Sequence, residues 1–320
     1  MTSHPRLDTP ARPHPWLGFV LGAVGVVIFA GTLPATRVAV VTLDPWWFTA
    51  ARATIAGGLA LCWLAAARPP WPTADEWRRL VVVAGALVLG FPLLMALGTV
   101  TVPASHGGVV LAALPLTTAA LAALVGPERP SKGFWLAAAV AAALVLSFAL
   151  TTGSSSGVMV GDLFLLGAVL VCSVGYVVSG TLARRLGAAT VISWALVLNL
   201  PLAVVAVLFL WPNNLAQAET SAWWGLLYVA VMSQWLGFFA WNRGLVLGGI
   251  ARVSQIQHLQ TFVTLGLSAW LLEEVLDQQT LLYAFAVVVT VVIGARMRIH
   301  RVEIHKRWAE PGQQGGPTRQ

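Results

Sequence analysis

The chain has 320 residues, and Asp, Glu, Lys and Arg make up only 10% of them, against about 25% in an ordinary soluble domain. Hydrophobic residues supply 58% and the mean hydropathy is +0.80. That leaves too little charge to coat a soluble globule and far too much apolarity for a disordered chain. The net charge of +7 would suggest nucleic acid in a soluble protein; in a membrane protein it first has to be weighed as an orientation signal.

A helix crossing the hydrocarbon core needs about 20 mainly apolar residues. In chain order the candidates are Trp16–Val41, Trp46–Ala66, Leu80–Thr101, His106–Val125, Gly133–Thr151, Gly161–Ala183, Ala189–Trp211, Trp223–Leu245, Val253–Leu272 and Leu281–Ile299. Breaker residues separate them: Asp44-Pro45, Arg68 to Pro72, Pro103, Pro127 with Pro130, Gly153 to Gly157, and Pro212-Asn213-Asn214. Residues 1–15 form a polar, proline-rich tail, and residues 301–320 a polar C-terminal one. The first apolar run exceeds the about 7–15 residues of a signal-peptide core, so no cleavable signal is expected. Cys62 and Cys172 both sit inside apolar runs and imply no disulfide framework.

If both termini are cytoplasmic, the cytoplasmic segments and the adjoining span ends hold Arg6, Arg12, Arg68, Arg78, Arg79, Arg129, Lys132, Arg184, Arg185, Arg243 and Arg252. The end of span ten and the tail add Arg296, Arg298, Arg301, Lys306, Arg307 and Arg319, and the loops on the other side carry no Lys or Arg. One missed or invented helix would scramble this split, so it supports the ten spans together with their orientation. The basic excess thereby becomes an orientation signal in an inner cell membrane, and no nucleic-acid partner is called for. Only Arg37 and Arg52 stand apart, within spans one and two.

Ten spans with both ends on one side divide into five plus five, and an odd-numbered tandem unit must be inverted in the membrane. The expected fold is an all-α membrane protein of two inverted five-helix repeats, residues 16–151 and 152–300. An offset of 146 places Gly98 on Gly244, Thr118 on Thr264, Leu121 on Leu267, Ala123 on Ala269 and Glu128 on Glu274. Each Glu closes the fourth span of its half.

Pro45 with Phe48 and Arg52 opens span two, and Leu114-Pro115-Leu116 through Glu128-Arg129-Pro130 closes span four. Leu259-Gln260-Thr261 through Leu272-Glu273-Glu274 is the second-half counterpart. On these motifs the chain resembles the drug/metabolite transporter superfamily, in its ten-helix EamA-domain branch. The resemblance implies a ten-helix bundle with a central cavity that exports small metabolites, amino acids or drug-like cations. Where the family usually has proline, this chain has Thr261, which predicts an unkinked helix nine at that point.

Span nine is the most polar. At 100° per residue, Ser254, Gln257, His258, Gln260, Thr261, Thr264 and Ser268 share one arc. Ile256, Leu259, Val263 and Trp270 lie opposite; Leu265 falls inside the polar arc and Gln255 outside it. Such side chains avoid lipid, so the stripe either bonds to neighbouring helices or walls a water-filled cavity. Gln234, Phe238 and Trp241 share a face of span eight, and Ser173, Tyr176 and Gly180 a face of span six. These would complete a lining suited to an amphipathic or cationic small-molecule substrate. Trp235 and Trp241 either line that cavity or pack against neighbours. The corresponding span four is almost wholly apolar, with hydroxyls only at Thr117 and Thr118 beyond its end residues.

Arg37 and Arg52 either snorkel, pair with Asp44 or bond backbone carbonyls, or else form a basic gate for a substrate carboxylate. No Asp or Glu is expected deep in a span, which leaves His258 as the candidate proton carrier; its alternative is a neutral, hydrogen-bonded histidine. No metal or cofactor site is read from the sequence. No phosphate-cradling loop, HExxH or GxSxG motif is present, so an intramembrane enzyme is disfavoured. A non-transporting receptor or scaffold is the other alternative. Gly18/Gly22 and Gly244/Gly248 permit close helix contact, inside the bundle or between the copies of a homodimer.

Overall fold

The computed structural model describes residues 15–125, 128–152, 160–213, 215–248, 256, 259–297 and 299–301. Eight described helical stretches are long and apolar enough to cross a bilayer. They are Trp16–Val40, Pro45–Ala67, Ala74–Thr101, Ala104–Leu124, Lys132–Thr151, Val160–Ala183, Ala188–Phe209 and Thr220–Trp241. The shorter apolar helices Gln260–Leu272 and Gln278–Gly294 stand where the ninth and tenth spans are expected. Apart from one short antiparallel pairing of residues 128–130 with 299–301, Glu128 opposite Arg301, the described elements are helical. That pairing ties the turn after span four to the segment after span ten.

The span ends follow from local chemistry. Asp44 caps span two, its Oδ1 accepting the Trp46 and Trp47 N–H groups at 3.0 and 2.9 Å, with Pro45 in the first turn. The span stops at Arg68 in the left-handed conformation, φ 47°, just before Pro69-Pro70. Span three opens on a capping box: Thr73 accepts the Glu76 N–H, and the Glu76 carboxylate accepts the Thr73 N–H at 2.8 Å.

Three prolines inside the spans coincide with departures from regularity, because each lacks the N–H owed to the carbonyl four residues back, whereas span seven stays one helix, Ala188–Phe209, through Pro201. Pro34 leaves Ala30 unserved, and span one breaks at Gly31 into Pro15–Ala30 and Thr32–Val40. Pro115 does the same to Leu111, and span four breaks at Ala112-Ala113 into Ala104–Leu111 and Leu114–Val125. Ahead of Pro92, which cannot serve Val88, the stretch Ala84–Gly90 of span three widens into a π-helix. Span eight carries a matching π-helix over Tyr228–Leu236 without a proline. Helix nine is regular through Thr261, over Gln260–Leu272. Ahead of it, Ile256 and Leu259 are in 3-10 conformation.

Every first-half span packs on a second-half partner: one on eight, two on seven, three on six, four on nine and five on ten. This is the pattern an inverted repeat requires, since three-on-six and eight-on-one are the same contact in the two halves. The register of 146 locates both crossings. At Gly98, an added Cβ would lie 3.2 Å from the Gly161 carbonyl oxygen and 2.8 Å from Leu165. At Gly244 it would lie 2.6 Å from the Gly22 nitrogen and 2.9 Å from the Gly18 oxygen. The small residues Gly18, Gly22 and Gly244 are thus used inside one chain. Met95, Val109, Leu165, Leu196 and Leu265 are buried between the halves, while Val27, Leu163, Leu208 and Phe285 are exposed on the outside, where lipid would cover them.

Candidate substrate cavity

The two helix breaks, the two π-helices and the start of helix nine converge. A cavity between the halves is lined by Thr32 and Leu33 beside the break in span one, and by Leu87 of the span-three π-helix. Leu111, Ala112, Leu114 and Pro115 line it from the break in span four, Ser233 and Gln234 from the span-eight π-helix, and Gln260 and Thr261 from the first turn of helix nine. Irregular backbone at membrane depth is tolerated only where protein or a watery cavity satisfies it. The space open to the centre of a water molecule is about 90 Å3. One water needs about 10–15 Å3 on that measure, so the cavity holds several waters or a small solute.

Two of the polar lining groups serve carbonyls that proline leaves open. Thr264 donates to the Ala30 oxygen at 3.0 Å, the acceptor Pro34 cannot serve. Gln234 donates to the Val88 oxygen at 3.3 Å, the acceptor Pro92 cannot serve. Thr32 and Ser233 share a 2.7 Å hydrogen bond across spans one and eight. Tyr228 donates to the Ile28 oxygen at 2.8 Å. Half of the polar character therefore holds the bent helices together, and Gln260 and Thr261 face the cavity beside it.

Among the residues singled out from the sequence, Arg52, Tyr176, Gln234, Phe238, Gln260, Thr261 and Thr264 line the cavity. Ser173, Trp241 and Arg37 do not. Ser173 turns to span four, where its hydroxyl accepts from Thr118 at 3.2 Å and donates to the Val169 oxygen at 2.8 Å. Trp241 lies against span one, its Cβ 3.0 Å from where a Cβ on Gly25 would stand. Trp235 packs against Phe239 and donates to the Ser193 hydroxyl at 3.2 Å. Ser268 is buried without a hydrogen-bond partner among the described residues. Ser254, Gln257 and His258 lie outside the described residues.

The two arginines of the first hairpin have different surroundings. Arg37 donates to the carbonyls of Thr99 and Val100 at the end of span three, the latter at 2.8 Å. Arg52 is 2% exposed and borders the cavity. Neither pairs with Asp44, whose carboxylate caps span two; that pairing is corrected.

Among the described residues no carboxylate lies deep in a span; Asp162 stands in the first turn of span six, Val160–Leu186. Asp162 is fully buried, and its Oδ1 lies 2.6 Å from Nε2 of His106. The imidazole stacks at 4.5 Å on Phe148. Beside this pair, Glu274 accepts the Ala104 and Ser105 N–H groups, both at 2.8 Å, and so caps span four from the second half. At the opposite, basic end of the bundle, Glu76 binds Arg185, joining spans three and six. Sequence reading missed Thr32, Ser233, Phe29 and Phe91 in the lining; the proline at position 34 was the available signal for the first of them. Among the described residues no three His, Cys, Asp or Glu side chains converge as metal ligands.

The sequence model of the EamA-like transporter family matches the chain twice, over residues 16–150 and 159–295. The chain is 42% identical over 279 residues to the "Uncharacterized transporter YdeK" of Bacillus subtilis (strain 168), covering 87% of this chain and 97% of that protein. A solved structure, described as "Crystal structure of protein", superposes with a TM-score of 0.60 at 17% identity, covering 86% of this chain and 95% of its own. At that identity the likeness concerns the fold.

Proposed function

The chain belongs to the EamA-like transporter family, a multi-pass membrane transporter, and from that premise we propose that it is a secondary transporter of a small organic solute. The solute is held in the central cavity and passed across by alternating access. The observation that carries the reading is the convergence of the helix breaks of spans one and four, the two π-helices and the start of helix nine on one cavity between the repeats. Such discontinuities at a repeat interface give backbone and side-chain groups to a solute and let one repeat rock against the other. The Glu76–Arg185 contact at one end and the Glu274 cap at the other offer closures on either side of the cavity.

The basic end is placed at the cytoplasm by the positive-inside rule, with both termini there, in the inner membrane. Export is the direction implied by the family resemblance. Purified full-length chain in proteoliposomes, loaded in turn with radiolabelled amino acids, organic acids and amines, tests the reading. Saturable efflux of at least one class above empty vesicles is the expected result. No flux of any class would remove transport in favour of a scaffold.

A further inference from the structure

Arg52 projects from span two into the cavity lining with 2% of its surface exposed. Its Nε and Nη1 have no hydrogen-bond partner among the described residues. The nearby acid of the same hairpin, Asp44, is committed to the Trp46 and Trp47 N–H groups. The Phe48 ring lies 6.0 Å from the guanidinium carbon, a contact that favours a cation and neutralises nothing. The described lining contains no Asp or Glu.

A guanidinium cannot shed its proton to escape burial, and a buried charge needs a counter-charge with hydrogen bonds that satisfy both partners. We propose that the counter-charge is the substrate: the cavity takes a small organic monocarboxylate, its carboxylate on the Arg52 fork and its apolar body against Phe29, Phe91 and Phe238. This rests on reading the cavity as the transport site. The planar fork matches a carboxylate in bidentate fashion, and a single fork balances a single negative charge. The three phenyl rings of the lining suit an apolar body. A cationic solute would set two like charges in one cavity with no acid among its described walls.

The test uses detergent-solubilised full-length protein and two matched series: isovalerate, isovaleramide and isoamylamine, then phenylacetate, phenylacetamide and phenethylamine. Each series keeps the body and changes the charge. A ligand of the folded form raises its apparent Tm, and the rise grows with the logarithm of ligand concentration above Kd. Both carboxylates raise Tm with concentration while amides and amines leave it unmoved. Arg52→Gln weakens carboxylate binding at least tenfold, and Arg52→Lys retains part of it. Stabilisation by the amines or amides equal to that by the acids, no response to any of the six, or unchanged carboxylate binding in Arg52→Gln overturns the proposal. Should Arg52→Gln fail to fold, the wild-type series decides alone. Flux of amines or neutral solutes without carboxylate binding would defeat this inference and leave the transporter reading standing. Carboxylate binding without flux would do the reverse.

Discussion

Gln234 donates its side-chain amide to the Val88 carbonyl, and the two residues stand 146 apart in the chain, the same interval that superimposes the two halves. A contact between positions equivalent under an inverted repeat lies at the pseudo-two-fold axis. Each residue also belongs to the π-helix of its own half. The bond joins the two repeats where their backbones are least regular, and it fills the acceptor that Pro92 leaves open.

The two partners should therefore be energetically coupled through that proline. Gln234→Leu strands a buried carbonyl and should cost about 1–3 kcal/mol. In a Pro92→Ala background residue 92 regains an N–H that can serve Val88, so the same Gln234→Leu change should cost less by about 1 kcal/mol. Unfolding of the four proteins in detergent by SDS titration measures the cycle. Additive losses would show that the Gln234 bond does not depend on the proline.

The crossing glycines should differ in tolerance although the register equates them. An added Cβ at Gly244 meets backbone atoms of Gly22 and Gly18, at 2.6 and 2.9 Å. At Gly98 the nearest atom, at 2.8 Å, belongs to the Leu165 side chain, which can rotate. Backbone cannot give way so cheaply, and overpacking typically costs about 1–3 kcal/mol. Gly244→Ala should lower apparent Tm more than Gly98→Ala. The reverse order would mean that spans one and eight are held more loosely than three and six.

The span count and the repeat could be read from sequence because both rest on quantities carried by single residues, apolar run length and the side on which arginines fall. The register of 146 was visible at Gly98 and Gly244 because only glycine permits those crossings. The π-helix in span eight is not legible, since no proline marks it. Gln234 and Phe238 both border the cavity, while Trp241, one turn further along, meets span one at Gly25. Ser173 shows the complementary failure. Periodicity placed it beside Tyr176, but it cannot say that Thr118 on span four takes up the hydroxyl. The His106–Asp162 pair joins two span starts 56 residues apart, and the residue spacing within a single helix gives no hint of it.

That buried pair should contribute to stability from the first hydrogen bond, whatever its proton does. Asp162→Ala removes the acceptor at 2.6 Å from the imidazole and should cost about 1–3 kcal/mol. Asp162→Asn keeps an oxygen acceptor of the same shape and should cost less. Thermal scans of the two variants settle the order. Equal losses would assign the effect to the negative charge and leave the hydrogen bond with no separate share.

Solvent access should map the cavity side of helix nine. In a Cys62→Ser, Cys172→Ser background, Thr261→Cys would place a thiol on the lining, in the first helical turn after Gln260. Ser268→Cys would place one two turns away at a fully buried position that borders no part of the cavity. A small water-soluble thiol reagent should modify the first at least ten times faster than the second, since only the first meets water. Prior incubation with isovalerate should slow labelling at position 261 if the solute occupies the same space, and isovaleramide should not. Equal rates at the two positions would mean that helix nine is wetted along its length, and the cavity boundary drawn at its first turns would then be wrong.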